Sequence, residues 1–279
     1  MNFIIFNASF RKKGNSDILA SLSLKEALNN EAVTAEIINL RDLRLEQCNG
    51  CMRCVFKDEI CPLKDDFYPL MDKIVKADAL LLISSTYVMS IPGYFKMLID
   101  RFLLIRPYYE KLYLRPSASI GVSSPIDWNS FQLPSMNLFL LGLGFKIEES
   151  FIVYGAGPGE VLLDDNQISR VRQTVRKICE LALNPVRKSY SDQISKHCPV
   201  CFSTIFERIE ERKFRCPICL SEAEEIEGGF LFSGKSMNNH RWTEKNIEEH
   251  FENWILRTKD LFRKNLPEIF KRKKKFLSS

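Results

Sequence analysis

Histidine is nearly absent: three in 279 residues, at positions 197, 240 and 250. An enzyme working through an imidazole would have to draw it from the last third of the chain. Glycine and proline are sparse too, twelve of each, which excludes collagen-like and low-complexity chains. The longest apolar runs, 79–83 and 138–141, fall far short of the roughly 18 residues that a bilayer span needs, so no membrane segment is expected. Residues 1–7 have neither the basic start nor the long apolar centre of a secretory leader, and a cytoplasmic protein is expected. The net charge of +5 is also local: residues 257–279 hold nine Lys or Arg and two acids, a balance of +7 that leaves −2 for the first 256. The body therefore lacks the basic surplus of a nucleic-acid binder. What is present, 45% hydrophobic and 27% charged residues, suffices to bury a core.

The length leaves room for one large domain, or one domain with a smaller companion. Over residues 1–185 short apolar runs alternate with amphipathic stretches, the pattern of a parallel sheet covered by helices on both faces. The runs at 2–7, 34–40, 78–84, 117–123 and 146–153 predict strands, and the stretches at 16–29, 66–76, 92–105, 130–142 and 165–183 predict helices. Five βα units fit an α/β, doubly wound, flavodoxin-like sheet of order 2-1-3-4-5, which binds its ligand beyond the carboxyl ends of the strands at the switch point. Loops 8–16, 85–93 and 123–130 should touch that ligand. A polar linker over 184–196 leads into a small module at 186–227, with a short hairpin across 202–215. In segment 228–279, after Gly228-Gly229, an amphipathic helix is predicted from about residue 243, with Ile247, Phe251, Trp254, Ile255 and Phe262 on one face, then a basic tail at 271–275.

The nine cysteines fall as four, one and four. Where no secretory leader is expected, short Cys-x2-Cys spacings point to metal before disulfides. Cys48, Cys51 and Cys54 follow one another at two-residue gaps, and Cys61 comes after a gap of six residues with Pro62 behind it. Three sulfurs so spaced can wrap one side of a cubane while the fourth closes it, which favours a [4Fe–4S] cluster over zinc or inert thiols. Cys198, Cys201, Cys216 and Cys219 make two Cys-Pro-x-Cys knuckles, a tetrahedral cage suited to structural zinc or to a rubredoxin-type iron. Phe202 and Leu220, rather than glycine, follow the knuckles, which places zinc ahead of iron. Between the knuckles, Glu207, Glu210 and Glu211 offset Arg208, Arg212, Lys213 and Arg215, so no basic stripe for nucleic acid stands out. Cys179 reads as a small buried hydrophobe.

The first βα turn, from Asn7 to Ser16, runs from a strand into a helix N-terminus. Such a loop offers main-chain N–H groups, hydroxyls and the positive end of a helix dipole to a terminal phosphate. Ser9, Arg11, Asn15 and Ser16 are the candidate contacts, against the plainer reading of a polar loop capped by Ser16. Ser85, Thr86 and Tyr87 follow the third strand at the same edge and add hydroxyls and an aromatic able to pack on a planar ring, although such a tyrosine is often half-buried packing.

Together, Asn7-Ala8-Ser9-Phe10-Arg11 with Gly14-Asn15-Ser16, the group Cys48 to Cys61, the stretch from Tyr87 through Gly93 and Lys96 to Ile99-Asp100-Arg101, and Gly155-Ala156-Gly157-Pro158-Gly159-Glu160 resemble the iron–sulfur flavoprotein family. That family lies within the flavodoxin-like NADPH-dependent FMN reductases, and the resemblance spans about residues 1–183. It implies FMN with its phosphate on Ser9, Arg11, Asn15 and Ser16 and its ring near Ser85, Thr86 and Tyr87. It also implies a [4Fe–4S] cluster on Cys48, Cys51, Cys54 and Cys61, and a homodimer or homotetramer in which cluster and flavin meet across subunits. Ser85 stands where the family commonly has Pro, and 123–130 lacks its usual glycine-rich loop. The expected function is an FMN-dependent oxidoreductase relaying electrons between a carrier, ferredoxin or NAD(P)H, and an acceptor. Two other readings stand beside it. One is a redox-responsive binding protein whose zinc ribbon and basic tail contact a partner or nucleic acid; the other is an NAD(P)H-dependent flavin or quinone reductase whose cluster is incidental. None of these schemes requires an acid–base residue, and no histidine is assigned to catalysis.

Overall fold

A computed structural model of the chain describes residues 1–57, 60–124, 127–185 and 189–277. Residues 58–59 in the gap between Cys54 and Cys61, 125–126 of the expected ligand loop 123–130, 186–188 of the expected linker 184–196, and 278–279 lie outside the described residues. In chain order the elements are β1 (Asn2–Asn7), α1 (Asn15–Ala27), β2 (Thr34–Asn39), α2 (Arg53–Phe56), α3 (Phe67–Ile74), β3 (Ala79–Ser85), α4 (Gly93–Ile99), α5 (Arg106–Leu112), β4 (Pro116–Ser123), α6 (Gln132–Gly142), β5 (Lys146–Tyr154) and α7 (Asp165–Leu183). They are followed by β6 (Gln193–Ser195), β7 (Glu207–Arg208), β8 (Lys213–Arg215), β9 (Glu222–Ile226), β10 (Gly229–Phe232), α8 (Gly234–Met237), α9 (Glu244–Glu249) and α10 (Arg257–Leu277).

The first five strands form a parallel sheet in the order β2-β1-β3-β4-β5, as the alternation of runs and amphipathic stretches predicts. Strands buried on both faces read as unbroken apolar runs, and β1 is one of them. Its Phe3 and Ile5 meet Leu19 of α1 and Val171, Val175 and Ile178 of α7, while Ile4 and Phe6 belong to a second cluster with Phe67, Phe95 and Phe139. The Phe6 ring stacks on Phe139 at 5.7 Å and meets Phe95 edge-on at 6.0 Å. Helix α7 starts where Asp164 caps it, accepting from the N–H groups of Asn166 and Gln167. Helix α6 ends at Gly144, whose φ of +94° permits the paired bonds from Gly144 N–H to Leu141 O and from Phe145 N–H to Leu140 O.

The single helix expected over 92–105 is divided. Helix α4 stops at Ile99, a turn of 3-10 helix follows at Phe102–Leu104, and α5 begins with Pro107 in its first turn. The break turns Arg101 inward onto Asp65, and Pro107 takes a place in α5 where its missing N–H costs nothing.

The C-terminal strands form an antiparallel sheet, β6-β10-β9-β8-β7, in which β7 and β8 are the expected hairpin. Gly228-Gly229, read from the sequence as the end of the small module, lies where β9 turns into β10, and the sheet continues through Phe232. This module packs on the domain: Val200, Phe232 and Met237 join the apolar cluster of Phe95 and Phe139, and the Asn137 side chain donates to Cys201 O at 2.8 Å. The Tyr109 hydroxyl bonds Trp242 O. The long helix begins at Thr243, whose hydroxyl accepts from Asn246 N–H. Its course is not one regular α-helix, because His250–Leu256 form π turns. Of the residues expected on one face, Trp254 is 69% and Phe262 48% exposed, while Phe251 lies under the Arg106 guanidinium. The basic tail expected at 271–275 is helical within α10. Among the described residues no helix is long and apolar enough to cross a membrane.

Candidate functional site

The β1–α1 loop is built to leave a helix N-terminus available. Gly14 at the N-cap has no side chain to bond the first-turn N–H groups, so those donors have no capping partner. The loop is held from below by Asp17 in the first turn of α1, which accepts from Lys13 N–H and the Asn7 amide, each at 2.7 Å, and binds the Arg41 guanidinium with both oxygens. Arg41 also donates to Ser9 O. The sequence gives no sign of Asp17 and Arg41 beyond an acid in the first helical turn, and Asn7 enters it only as the first residue of the loop motif.

Ser9 and Ser16 are buried and Arg11 is exposed at the rim. Asn15 has a different use from the expected phosphate contact. Its amide donates to Gly155 O and Gly157 O, both at 3.0 Å, and its oxygen accepts from Gly159 N–H at 2.7 Å. Asn15 thus ties the 155–159 loop to the N-terminus of α1. Replacing Asn15 by Ala should lower the unfolding free energy by about 2–3 kcal/mol, since about three net hydrogen bonds are lost, and should weaken FMN retention. Urea melts with and without added FMN check both.

The two expected halves of the flavin site meet: the Ser85 hydroxyl donates to Ser9 Oγ at 3.2 Å. Thr86 is committed to protein partners, the carbonyl of Val122 and the Gln132 side chain. Tyr87, 47% exposed, opens a two-residue turn closed by reciprocal bonds with Ser90. Val88 and Met89 occupy its centre with φ of 44° and 67°, an unusual conformation for a β-branched residue.

Tyr94 links this loop to the first cysteines. Its ring meets Phe10 edge-on at 5.1 Å, its hydroxyl donates to Leu43 O, and it accepts from Leu45 N–H at 2.6 Å. Cys48, Cys51, Cys54 and Cys61 then line one pocket together with Asp100, Arg101, Leu103 and Leu104. Gly50 and Met52 turn the chain around it with φ of 67° and 56°. Burial, then the neighbouring Cys61, Cys51 and Cys48, push the Cys54 thiol above its ordinary range, so the four groups feel one another. Arg101, buried against the pocket, leaves Nε without a hydrogen-bond partner among the described residues. Four soft sulfurs lining one pocket, with an idle buried donor on a residue of its wall, fit an anionic cluster, each of whose metals would take its own sulfur.

The second quartet has a different geometry. Cys198, Cys201, Cys216 and Cys219 are fully buried and their sulfurs lie within 4.8 Å of one another, the one group of this kind among the described residues. Four sulfurs at about 2.3 Å from one tetrahedral ion stand about 3.8 Å apart, so this cage fits a single metal. Hydrogen bonds from the neighbouring sulfurs push Cys216 down, whereas the same sulfurs and burial push Cys201 well up. Phe202 and Leu220 adopt positive φ behind each knuckle, at 57° and 64°, the conformation that glycine would take there without strain.

Beside this cage His240 is buried, its Nδ1 accepting from Trp242 N–H at 3.1 Å, and burial lowers its pKa to about 4. The unfolded chain takes up this proton near pH 6.5 and the folded chain only near 4, so stability falls as pH drops through that window, by about 3 kcal/mol in full. His240→Asn, which keeps an acceptor and removes the titration, should lose correspondingly less stability between pH 6.5 and 4 in urea melts.

Comparison with known proteins places these features. Residues 1–130 match the family described as NADPH-dependent FMN reductase. An iron–sulfur flavoprotein of Archaeoglobus fulgidus is 29% identical over 192 residues, 67% of this chain and 90% of that protein. One of Methanocaldococcus jannaschii is 28% identical over 195 residues, 65% of this chain and 97% of that protein. A solved flavone reductase shares the fold with a TM-score of 0.65 at 17% identity, covering 98% of this chain and 92% of its own. The family match and these relatives support a flavin-dependent oxidoreductase. Residues 1–130 are thus similar to the NADPH-dependent FMN reductase family, and about two thirds of the chain is similar to the iron–sulfur flavoproteins.

Proposed function

We propose that the chain is an FMN-dependent iron–sulfur oxidoreductase that relays electrons between a carrier, ferredoxin or NAD(P)H, and an acceptor, working as a homodimer or homotetramer. The observation that carries this reading is Tyr94, which contacts the phosphate loop at Phe10 and the root of the cysteine segment at Leu43 and Leu45. One side chain therefore spans the two expected redox sites. In this reading residues 1–185 carry both groups, the module that begins at 186 and extends through β10 forms a zinc ribbon, and the C-terminal helices wall the cysteine segment, where Phe262 stacks over Phe56 at 6.4 Å. Ser9, Arg11 and Ser16 hold the FMN phosphate with the uncapped α1 N-terminus, and Asn15 fixes the neighbouring loop. Ser85 and Tyr87 border the ring, and Cys48, Cys51, Cys54 and Cys61 hold a [4Fe–4S] cluster. When bound, FMN and the cluster together divide a two-electron transfer into single-electron steps. The chain contributes placement and charged neighbours; no side chain need move a proton.

A reductive titration without oxygen tests it. The wild type should take up about three electrons per chain, two in the flavin and one in the cluster, and Cys51→Ser about two. Equal uptake by both would overturn the cluster assignment. The family description favours a second reading, an NAD(P)H-dependent flavin or quinone reductase with an incidental cluster. Full NADPH turnover by Cys51→Ser would establish that reading in place of the first.

A further inference from the structure

Arg101 is buried beside the first cysteines with its guanidinium 1% exposed and its partner carboxylate, Asp65, fully buried. One terminal nitrogen pairs with Asp65, the other lies 3.8 Å from Cys61 Sγ, and the carbon between them sits 4.5 Å over the Phe67 ring. Nε has no partner among the described residues, and Arg101 lines the pocket that the four cysteines enclose. A buried guanidinium is costly unless its charge and its five donors are matched. Asp65 matches them only in part, because its carboxylate also accepts from Glu46 N–H and Phe67 N–H. A purely structural ion pair would need neither the approach to Cys61 nor an idle donor at the pocket wall.

Resting on the reading of this pocket as an iron–sulfur site, we propose that Arg101 is a positioning residue that sets the reduction potential of the group held there, by donating to the Cys61 sulfur and keeping a positive charge against the cage. Adding one electron adds one negative charge to the cage. A fixed cation in a low-dielectric wall favours that reduced state, and Asp65 opposes it in part. The two partners of this ion pair therefore act on the potential in opposite directions.

The test uses full-length protein prepared without oxygen, poised with dithionite and mediators at the wild-type midpoint potential, with the reduced fraction read by electron paramagnetic resonance. Arg101→Gln should lower the ratio of reduced to oxidised cluster at least tenfold, about 59 mV for one electron. Arg101→Lys, which keeps the charge, should recover most of that ratio, and Asp65→Asn should raise it above wild type. An unchanged ratio in Arg101→Gln, or a fall in Asp65→Asn, would overturn the proposal. If Arg101→Gln does not hold its iron, the sign in Asp65→Asn decides alone. Wild-type protein without iron and sulfide would remove the underlying reading; iron present with unshifted ratios would remove only the role of Arg101.

Discussion

Cys54→Ser protein purified without oxygen is expected to retain FMN and to lose the iron of the first site, a fall from about four iron atoms per chain to background. Cys54 sits on α2, half-buried between the pocket it shares with the other three cysteines and the cavity walled by Phe251, Ile255 and Leu256. A serine there offers a hard oxygen in place of a soft thiolate, and three sulfurs no longer close the cage. FMN should stay because the groups that shape its phosphate site, Asp17, Arg41, Asn15 and the Gly14 helix end, do not include Cys54. Iron analysis and the flavin absorption spectrum of the same sample check both halves. Loss of flavin together with iron would mean that the two sites are one folding unit.

Cys201→Ser is expected to do the opposite, sparing the first site's ligands while unfolding the C-terminal module. The four sulfurs of the second quartet are fully buried, and without a cation they cannot all ionise in so small a volume. Metal binding at structural four-ligand sites is worth about 10 kcal/mol or more, comparable with the whole stability of an ordinary domain. The module's attachments depend on the cage. Asn137 bonds the carbonyl of Cys201, Trp242 Nε1 bonds the carbonyl of Ile218, and Arg241 N–H bonds that of Cys219. Limited proteolysis should therefore cut the variant within about residues 190–277 and leave a fragment ending near α7, while the wild type resists. Chelation of the metal should reproduce the pattern, and a variant as resistant as the wild type would show that the cage is not structural.

The parts of this protein legible in its sequence were those fixed by local patterns. The parallel sheet followed from its five apolar runs, of which the central ones are buried on both faces, with Ile4, Phe6, Leu80 and Leu82 on one side and Phe3 and Ile5 on the other. The second quartet followed from its knuckles. What was not legible depends on contacts between distant segments. Asp65 and Arg101 are 36 positions apart, and nothing in either neighbourhood announces a buried pair. Asp17 and Arg41 meet only because β1 and β2 are adjacent. Asn15, read as a phosphate ligand from its place in the loop, spends its amide on Gly155, Gly157 and Gly159, which arrive from β5. Trp254 faces out of a segment of π turns, a feature that its apolar spacing does not encode.

In the proposed function the segment from Cys48 to Cys61 holds an iron–sulfur cluster beside an FMN site. Iron, acid-labile sulfide and FMN measured per chain, on protein prepared without oxygen and stripped of loosely held metal, test it most directly. About four iron and four sulfide with about one FMN are expected, and one further metal ion that Cys51→Ser retains and Cys201→Ser loses. A wild-type preparation that binds flavin but contains zinc and no sulfide would contradict it.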